Sequence, residues 1–270
     1  MDVHSDGHHN RSVFTLCRTS SSAAGLIEPP TGFSDELGAA IEARVRMLAT
    51  TTLAAVDIGE HTGVHPRIGV LDVVPFVSLR RDQSYLICDG PIEEAIEARD
   101  HFMVWAASVL GLPCFAYGPE RPLPEVRRSA FRSLAPDAGP VGPHSTAGAC
   151  AVGARPLLVA YNLWLSSPDV EVARSVAREV RGPAVRSLGL QVGDRVQVSC
   201  NLIDPFRTGP AVTYDAVARL AEASGTAIEH AELVGLAPMR VVEAIPGHRR
   251  PEIGVDEDRT IEARLENGPT

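Results

Sequence analysis

The chain reads as an α/β protein built from two successive units, and three observations predict it. Short runs rich in Val and Leu alternate with longer segments whose apolar residues repeat every three to four positions. Gly and Pro clusters punctuate the joints between them. A Gly- and Pro-rich stretch ending near Arg155 separates a first series of such segments from a second, at residues 1–155 and 156–270. With 270 residues and 44% hydrophobic content, the chain can bury a sizeable core in one large or two small domains.

Ser12 to Cys17 alternates like a strand. In the polar segment before it, Asp2, His4, Asp6 and His8 would share one face if extended. That face reads either as mixed metal ligands or as a fraying terminus. Arg18 to Thr31 reads as a connection. Ser34 then caps a helix carrying Asp35 and Glu36 in its first turn, with Leu37, Ile41, Val45 and Leu48 along one face. Ile68 to Phe76 has the composition and length of a buried strand, interrupted by Asp72, whose carboxylate requires a partner. A short strand follows at Tyr85 to Cys88. Asp89-Gly90-Pro91 opens a second helix faced by Ile92, Ala95, Ile96, Phe102, Ala106 and Val109, with Gly111 as its stop. Cys114 to Tyr117 is a short strand. Glu120 to Arg132 carries Arg121, Arg127, Arg128 and Arg132, which read as a solvated helix face or as a basic patch for an anionic ligand. Beyond the Gly139–Arg155 stretch, Pro156 to Leu165 is a buried strand, and Ser167-Pro168-Asp169 starts a helix to about Arg181. Arg195 to Leu202 is a strand, Gly209-Pro210 leads a helix through Ala223, and Ala231 to Leu236 is a strand.

Composition narrows the chemistry. A net charge of −9 argues against a nucleic-acid partner, whose phosphates demand a basic face. No stretch approaches membrane-spanning length without a break, and no signal peptide is apparent. All 25 basic residues are arginine, which removes Schiff-base and P-loop lysine mechanisms. The five cysteines, Cys17, Cys88, Cys114, Cys150 and Cys200, are odd in number and scattered. They read as buried, reduced thiols of a cytoplasmic protein.

The most informative stretch is His61 to Phe76. Gly63 and Pro66 disfavour a helix, and His65 precedes a proline, so His65 and Arg67 sit on a stiff loop leading into the apolar run. His61 and His65 invite a zinc reading, but a four-residue spacing converges on a metal most readily from a helix. His65-Pro66-Arg67, Leu71-Asp72-Val73 and Pro75-Phe76 together resemble the most specific motif of the formiminotransferase family. Asn10 to Thr15, Pro113 to Gly118, Gly153-Ala154-Arg155, Asn162, Gln197 to Leu202 and Val234-Gly235-Leu236 match further family segments.

The resemblance implies two ferredoxin-like α/β subdomains whose sheets face one another across a ligand cleft, ending in a closing strand at Arg259 to Glu262. It also implies a strand and helix ahead of Asp2. Without them, a strand edge would be left unpaired and the fold impaired. The activity implied is transfer of a formimino group between N-formimino-L-glutamate and tetrahydrofolate, a co-substrate, by a metal-free cytoplasmic homodimer. His65 maps onto the family's catalytic acid/base. Folate or substrate contacts are implied for Asp6 and Asn10 and for the folate loop at Gly139, Pro140, His144, Thr146 and Gly148. Arg67 would hold substrate carboxylates, or the loop itself against Asp72. The small residues of the folate loop would let backbone amides approach a ligand closely. Alternatives are a folate-binding scaffold without turnover and transfer of a formyl group.

Overall fold

Pairing of the strands separates the chain into two bodies whose sheets are built on different principles, one parallel and one antiparallel. The computed structural model describes residues 2–17, 36–84 and 86–266. In chain order the elements are β1 (Asp2–Asp6), β2 (Arg11–Thr15), α1 (Glu36–Ala55), β3 (Val73–Phe76), β4 (Leu79–Arg81), β5 (Ile87–Asp89) and α2 (Ile92–Val109). Then come β6 (Cys114–Tyr117), α3 (Leu123–Ser129), β7 (Cys150–Ala154), β8 (Val159–Leu165), α4 (Val170–Val180), β9 (Val185–Val192) and β10 (Arg195–Leu202). The last are α5 (Pro210–Ala223), β11 (Ile228–Val234), α6 (Met239–Glu243), α7 (Arg250–Ile253) and α8 (Ile261–Glu266). The architecture is mixed α/β. Among the described residues no helix is long and apolar enough to cross a membrane. Ser34, Arg18–Thr31 and Tyr85 lie outside the described residues.

One unit comprises residues 36–79 and 89–156 and holds a three-stranded parallel sheet in the order β3-β7-β6. The central strand, Cys-Ala-Val-Gly-Ala, is buried along its whole length because both faces of the sheet are covered. On one face α2 lays down Ala95, Ala98, Phe102 and Ala106 against Phe76, Cys114, Ala116, Cys150 and Val152. Phe102 is fully buried between Phe76 and Trp105, at centroid distances of 5.8 and 5.6 Å. Burial of such a ring contributes about 2–3 kcal/mol. The other face carries Phe115, Tyr117, Ala149 and Ala151, packed by Val126 of α3 and by Phe131.

Two details of α2 depart from the expected apolar stripe. Val109, the last residue of the helix, is 64% exposed. Arg99 is buried in the stripe and donates to Glu120 through both terminal nitrogens, at 2.7 and 2.8 Å. The free edge of β6 is blunted by Asp137 and Ala138: the Asp137 amide donates to the Cys114 carbonyl, and its carboxylate accepts from the Ala116 amide.

The expected strand from Ile68 to Phe76 is shorter than its composition implies. Regular pairing begins only at Val73, since the Asp72 carboxylate accepts the Ile68 amide at 2.8 Å and folds residues 68–72 into a loop. Pro75 is tolerated because β3 is an edge strand.

The other unit comprises residues 2–17, 80–88 and 157–266. Its sheet follows β8-α4-β9-β10-α5-β11, with all strands antiparallel and a spatial order β11-β8-β10-β9. Tyr161, Leu163, Leu165, Val196, Val198, Cys200 and Leu202 are buried, and α4 and α5 pack on the sheet. Asp169 caps α4 by accepting the Glu171 amide. β9 has no counterpart in the sequence reading; it forms a hairpin with β10 around Gly193-Asp194. The similar alternation expected of the two halves therefore gives two different sheets.

Asp2 to Asp6 is not a frayed end but the first strand of the β1–β2 hairpin. His9 anchors this hairpin: its Nδ1 lies 2.9 Å from Asp6 Oδ1, and its Nε2 lies 3.1 Å from the amide of buried Gln197. The closing strand expected at Arg259–Glu262 is instead a 3₁₀ turn, one bridge from Thr260 to Ala237, and α8. Thr260 Oγ accepts the Ala263 amide as a helix cap, which ends extended structure there. Buried Glu262 accepts the amides of Ile87 and Met239, both at 2.8 Å.

Candidate functional site

Two loops of the three-stranded unit carry most of the candidate residues, and backbone hydrogen bonds stitch them together. Residues 57–72 precede β3, and residues 137–149 precede β7. The Ile58 amide donates to the Thr146 carbonyl at 2.7 Å, Val70 to Ala147 at 3.0 Å, and Ala149 to Ile68 at 2.9 Å. Gly69 and Gly148 form a bridge where the loops touch. A Cβ on Gly69 would come within 2.0 Å of the Ala149 carbonyl oxygen. One on Gly148, whose φ is +71°, would come within 2.4 Å of that of Ile68. Only glycine permits this approach.

Within the first loop the side chains of His61, His65, Arg67 and Asp72 each have a defined partner. Arg67 donates to the carbonyls of His61 and Gly63, at 2.8 and 3.2 Å, and so closes the turn that carries His65. It does not pair with Asp72. That carboxylate, 9% exposed, meets Arg127 of α3, whose guanidinium donates to Asp72 Oδ2 at 2.6 Å and also bonds the Pro66 carbonyl. His61 Nδ1 accepts the Gly63 amide at 3.0 Å, which ties that ring to the loop.

His65 Nδ1 lies 2.8 Å from the Pro66 carbonyl oxygen, which can only accept. Nδ1 therefore carries the proton, and Nε2 is the basic nitrogen of the neutral ring. His144 has the opposite polarity. Its Nδ1 accepts the amides of Thr146 and Ala147, at 3.3 and 3.1 Å, so its neutral ring carries the proton on Nε2.

The expectation of open backbone amides in the second loop is corrected over its last part. The amides of Thr146, Ala147, Gly148 and Ala149 are all engaged by protein acceptors. Gly148 serves loop contact, and Gly139, at φ +92°, begins the turn beside Pro140.

Asp6 and Asn10 belong to the other unit. Asp6 accepts the His9 amide at 2.8 Å. Partial burial raises its pKa, but the hydrogen bonds and charge of His9 outweigh this and hold it below the usual carboxylate range. Asn10 occupies the hairpin turn at φ 47°.

Arg127 is the site residue that sequence reasoning did not single out. It stood among four arginines of Glu120–Arg132, and only packing of α3 shows which one reaches residues 55 and 61 positions earlier. Arg121 pairs with Asp137 instead. No disulfide joins the cysteines among the described residues. Burial pushes Cys114 and Cys200 up to about 12, and Cys150 is raised well above its usual value by burial and by the nearby Cys114 and Asp72. These three are poor nucleophiles. Among the described residues no group of three or more His, Cys, Asp or Glu side chains is placed to hold a metal ion.

Comparison with known proteins bears on the same residues. A family model described as the formiminotransferase domain, N-terminal subdomain, matches residues 1–155. A glutamate formimidoyltransferase of Streptococcus pyogenes serotype M1 is 30% identical over 264 residues, covering 90% of this chain and 80% of that protein. One from Thermoplasma acidophilum is 29% identical over 292 residues, covering 98% and 87%. The formimidoyltransferase-cyclodeaminase of Gallus gallus is 29% identical over 271 residues, covering 90% of this chain but 45% of that longer protein. The His-Pro-Arg loop lies inside the matched domain, and the alignments run through both sheets: the chain belongs to the formiminotransferase family.

Proposed function

We propose that the protein is a glutamate formimidoyltransferase, moving a formimino group between N-formimino-L-glutamate and tetrahydrofolate, with His65 as general acid and base. The observation that carries this reading is the tautomer of His65, whose Nδ1–H is committed to the Pro66 carbonyl so that Nε2 is the proton acceptor. A folate nitrogen attacks the formimino carbon to form a tetrahedral intermediate. His65 Nε2 takes the proton from that nitrogen and returns it to the glutamate nitrogen as the carbon–nitrogen bond to glutamate breaks. An imidazole titrates near neutrality, and such proton transfer contributes about 10²–10⁴-fold.

In this reading Arg67 and Arg127 hold the loop that aims His65. Asp6, Asn10 and the Gly139–Gly148 loop contribute to binding of folate and substrate. Residues 1–155 and 156–270 are the family's two subdomains, the second a ferredoxin-like layer in keeping with its β-α-β-β-α-β order. The active form is a cytoplasmic homodimer.

The test is turnover of formiminoglutamate with tetrahydrofolate by the wild-type protein and His65→Ala. Wild-type turnover, lost by at least about 10²-fold in a variant that unfolds at the wild-type urea midpoint, is expected. Undiminished turnover by His65→Ala would sink the assignment. Tetrahydrofolate binding without turnover by the wild type would instead mark a folate-binding scaffold.

A further inference from the structure

The Pro66 carbonyl oxygen takes two donors of different kinds: the His65 ring through Nδ1, at 2.8 Å, and the Arg127 guanidinium from α3. Its two lone pairs admit both. Two nitrogens that each bond one oxygen at about 3 Å lie no more than about 6 Å apart, so a fixed positive charge stands beside the imidazole. The counter-ion bonds the guanidinium: Asp72 Oδ2 accepts from Nη2 at 2.6 Å, while Nη1 is the nitrogen on Pro66. The order of contacts is thus ring, carbonyl, cation, carboxylate. With side chains 17% and 9% exposed, the Arg127–Asp72 pair is little screened by solvent. The remaining charged and titratable groups of these elements are engaged elsewhere or exposed. On the His65 loop, Arg67 donates to the carbonyls of His61 and Gly63, His61 Nδ1 accepts the Gly63 amide, Asp57 accepts the Gly59 amide, and Glu60 is exposed. On α3, Glu125 and Arg128 are exposed. On the adjoining loop, Asp137 pairs with Arg121, and His144 Nδ1 takes the amides of Thr146 and Ala147.

We propose that Arg127 is a positioning residue for the transfer that sets the proton affinity of His65 through the shared Pro66 carbonyl, with Asp72 moderating its charge. This rests on the reading of His65 as general acid and base and adds to it what fixes the acidity of the ring. A like charge beside the imidazole disfavours the imidazolium, and a charged second donor weakens the carbonyl as an acceptor for Nδ1–H. Both effects keep Nε2 unprotonated, ready to take the proton from the folate nitrogen. Once Nε2 carries that proton, the same charge favours its passage to the glutamate nitrogen. Asp72 limits the effect, so that the ring still accepts a proton near neutrality.

The pH titration of the His65 imidazole, followed by NMR and assigned by its loss in His65→Ala, tests this without substrate. The midpoint is expected to rise by about one pH unit in Arg127→Met, which removes the cation and leaves the carboxylate. It should fall in Asp72→Asn, which leaves the cation uncompensated while the asparagine oxygen still accepts the Ile68 amide. A loop merely loosened by either change would move both midpoints in the same direction, towards that of a free imidazole. Midpoints that stay put or shift together would overturn the proposal and leave Arg127 as a loop anchor. Should Arg127→Met fail to fold, Arg127→Met/Asp72→Asn decides. Release of the carbonyl to His65 alone raises its midpoint above the wild-type value, and an unchanged midpoint overturns the proposal. The acid limb of kcat/KM for formimino transfer should follow the imidazole in each variant. Imidazole midpoints that move as expected while that limb stays fixed would leave the tuning intact and sink His65 as the group that moves the proton.

Discussion

Asp72 needs a partner because it carries a carboxylate into a position 9% exposed, and the sequence announced that need without naming the partner. Arg67, five residues away, was the nearest guanidinium. It is turned instead onto the carbonyls of its own loop, and Arg127 supplies the charge. The Pro66 carbonyl then accepts from both Arg127 and the His65 ring, so loop anchoring and the His65 tautomer meet at one atom. Arg127→Met is expected to destabilise the fold by about 2–4 kcal/mol, since it leaves a buried carboxylate without its counter-ion. Arg127→Met/Asp72→Asn should recover part of that loss, because asparagine still accepts the Ile68 amide. Urea unfolding of the two variants checks this, and an additive double variant would refute the pairing.

Element by element, helices were the most legible part of the sequence. α2, α4 and α5 begin and end within a few residues of their Pro, Asp and Gly signals. Strands were less so. The sequence predicts a loop at β7 because Cys-Ala-Val-Gly-Ala has neither alternation nor bulk, and these residues are small because helices and loops press on both faces of the strand. The one sequence signal for β9 is the Gly193-Asp194 turn between two alternating runs.

The link from α2 to the turn after β6 is also an ion pair with a testable pH dependence. Hydrogen bonding from Arg99 lowers the Glu120 pKa below its ordinary 4.5, although burial opposes this. A depressed carboxyl contributes stability that is present above its unfolded pKa and lost as pH falls through the folded value. The stability difference between wild type and Glu120→Gln should therefore be full at about pH 6 and shrink towards about pH 3. Denaturant titrations across that range measure it, and a difference constant with pH would remove the assignment.

At the scale of the whole molecule, the chain visits the four-stranded unit three times, at residues 2–17, 80–88 and 157–266. Glu262 shows how distant segments are joined there, because one buried carboxylate accepts amides from Ile87, 175 residues away, and from Met239. Glu262→Ala strands the buried Ile87 N–H and the partly buried N–H of Met239 and is expected to cost about 2–4 kcal/mol, read as a lower urea midpoint. A cost below about 0.5 kcal/mol would show that the two amides find other acceptors.

Local chemistry, by itself, determined the alternation of helices and strands, the stiffness of the His65-Pro66-Arg67 loop and the family the chain joins. Such features depend on residues close together in sequence, where Pro, Gly and apolar periodicity act directly on the backbone. Tertiary structure alone decided that Arg127 answers Asp72, that the Ala149 amide meets the Ile68 carbonyl, and that Glu262 accepts amides from both Ile87 and Met239. Each of these depends on which donor or acceptor packing brings within about 3 Å, and hydrogen-bond energy falls too steeply with distance for spacing along the chain to reveal it.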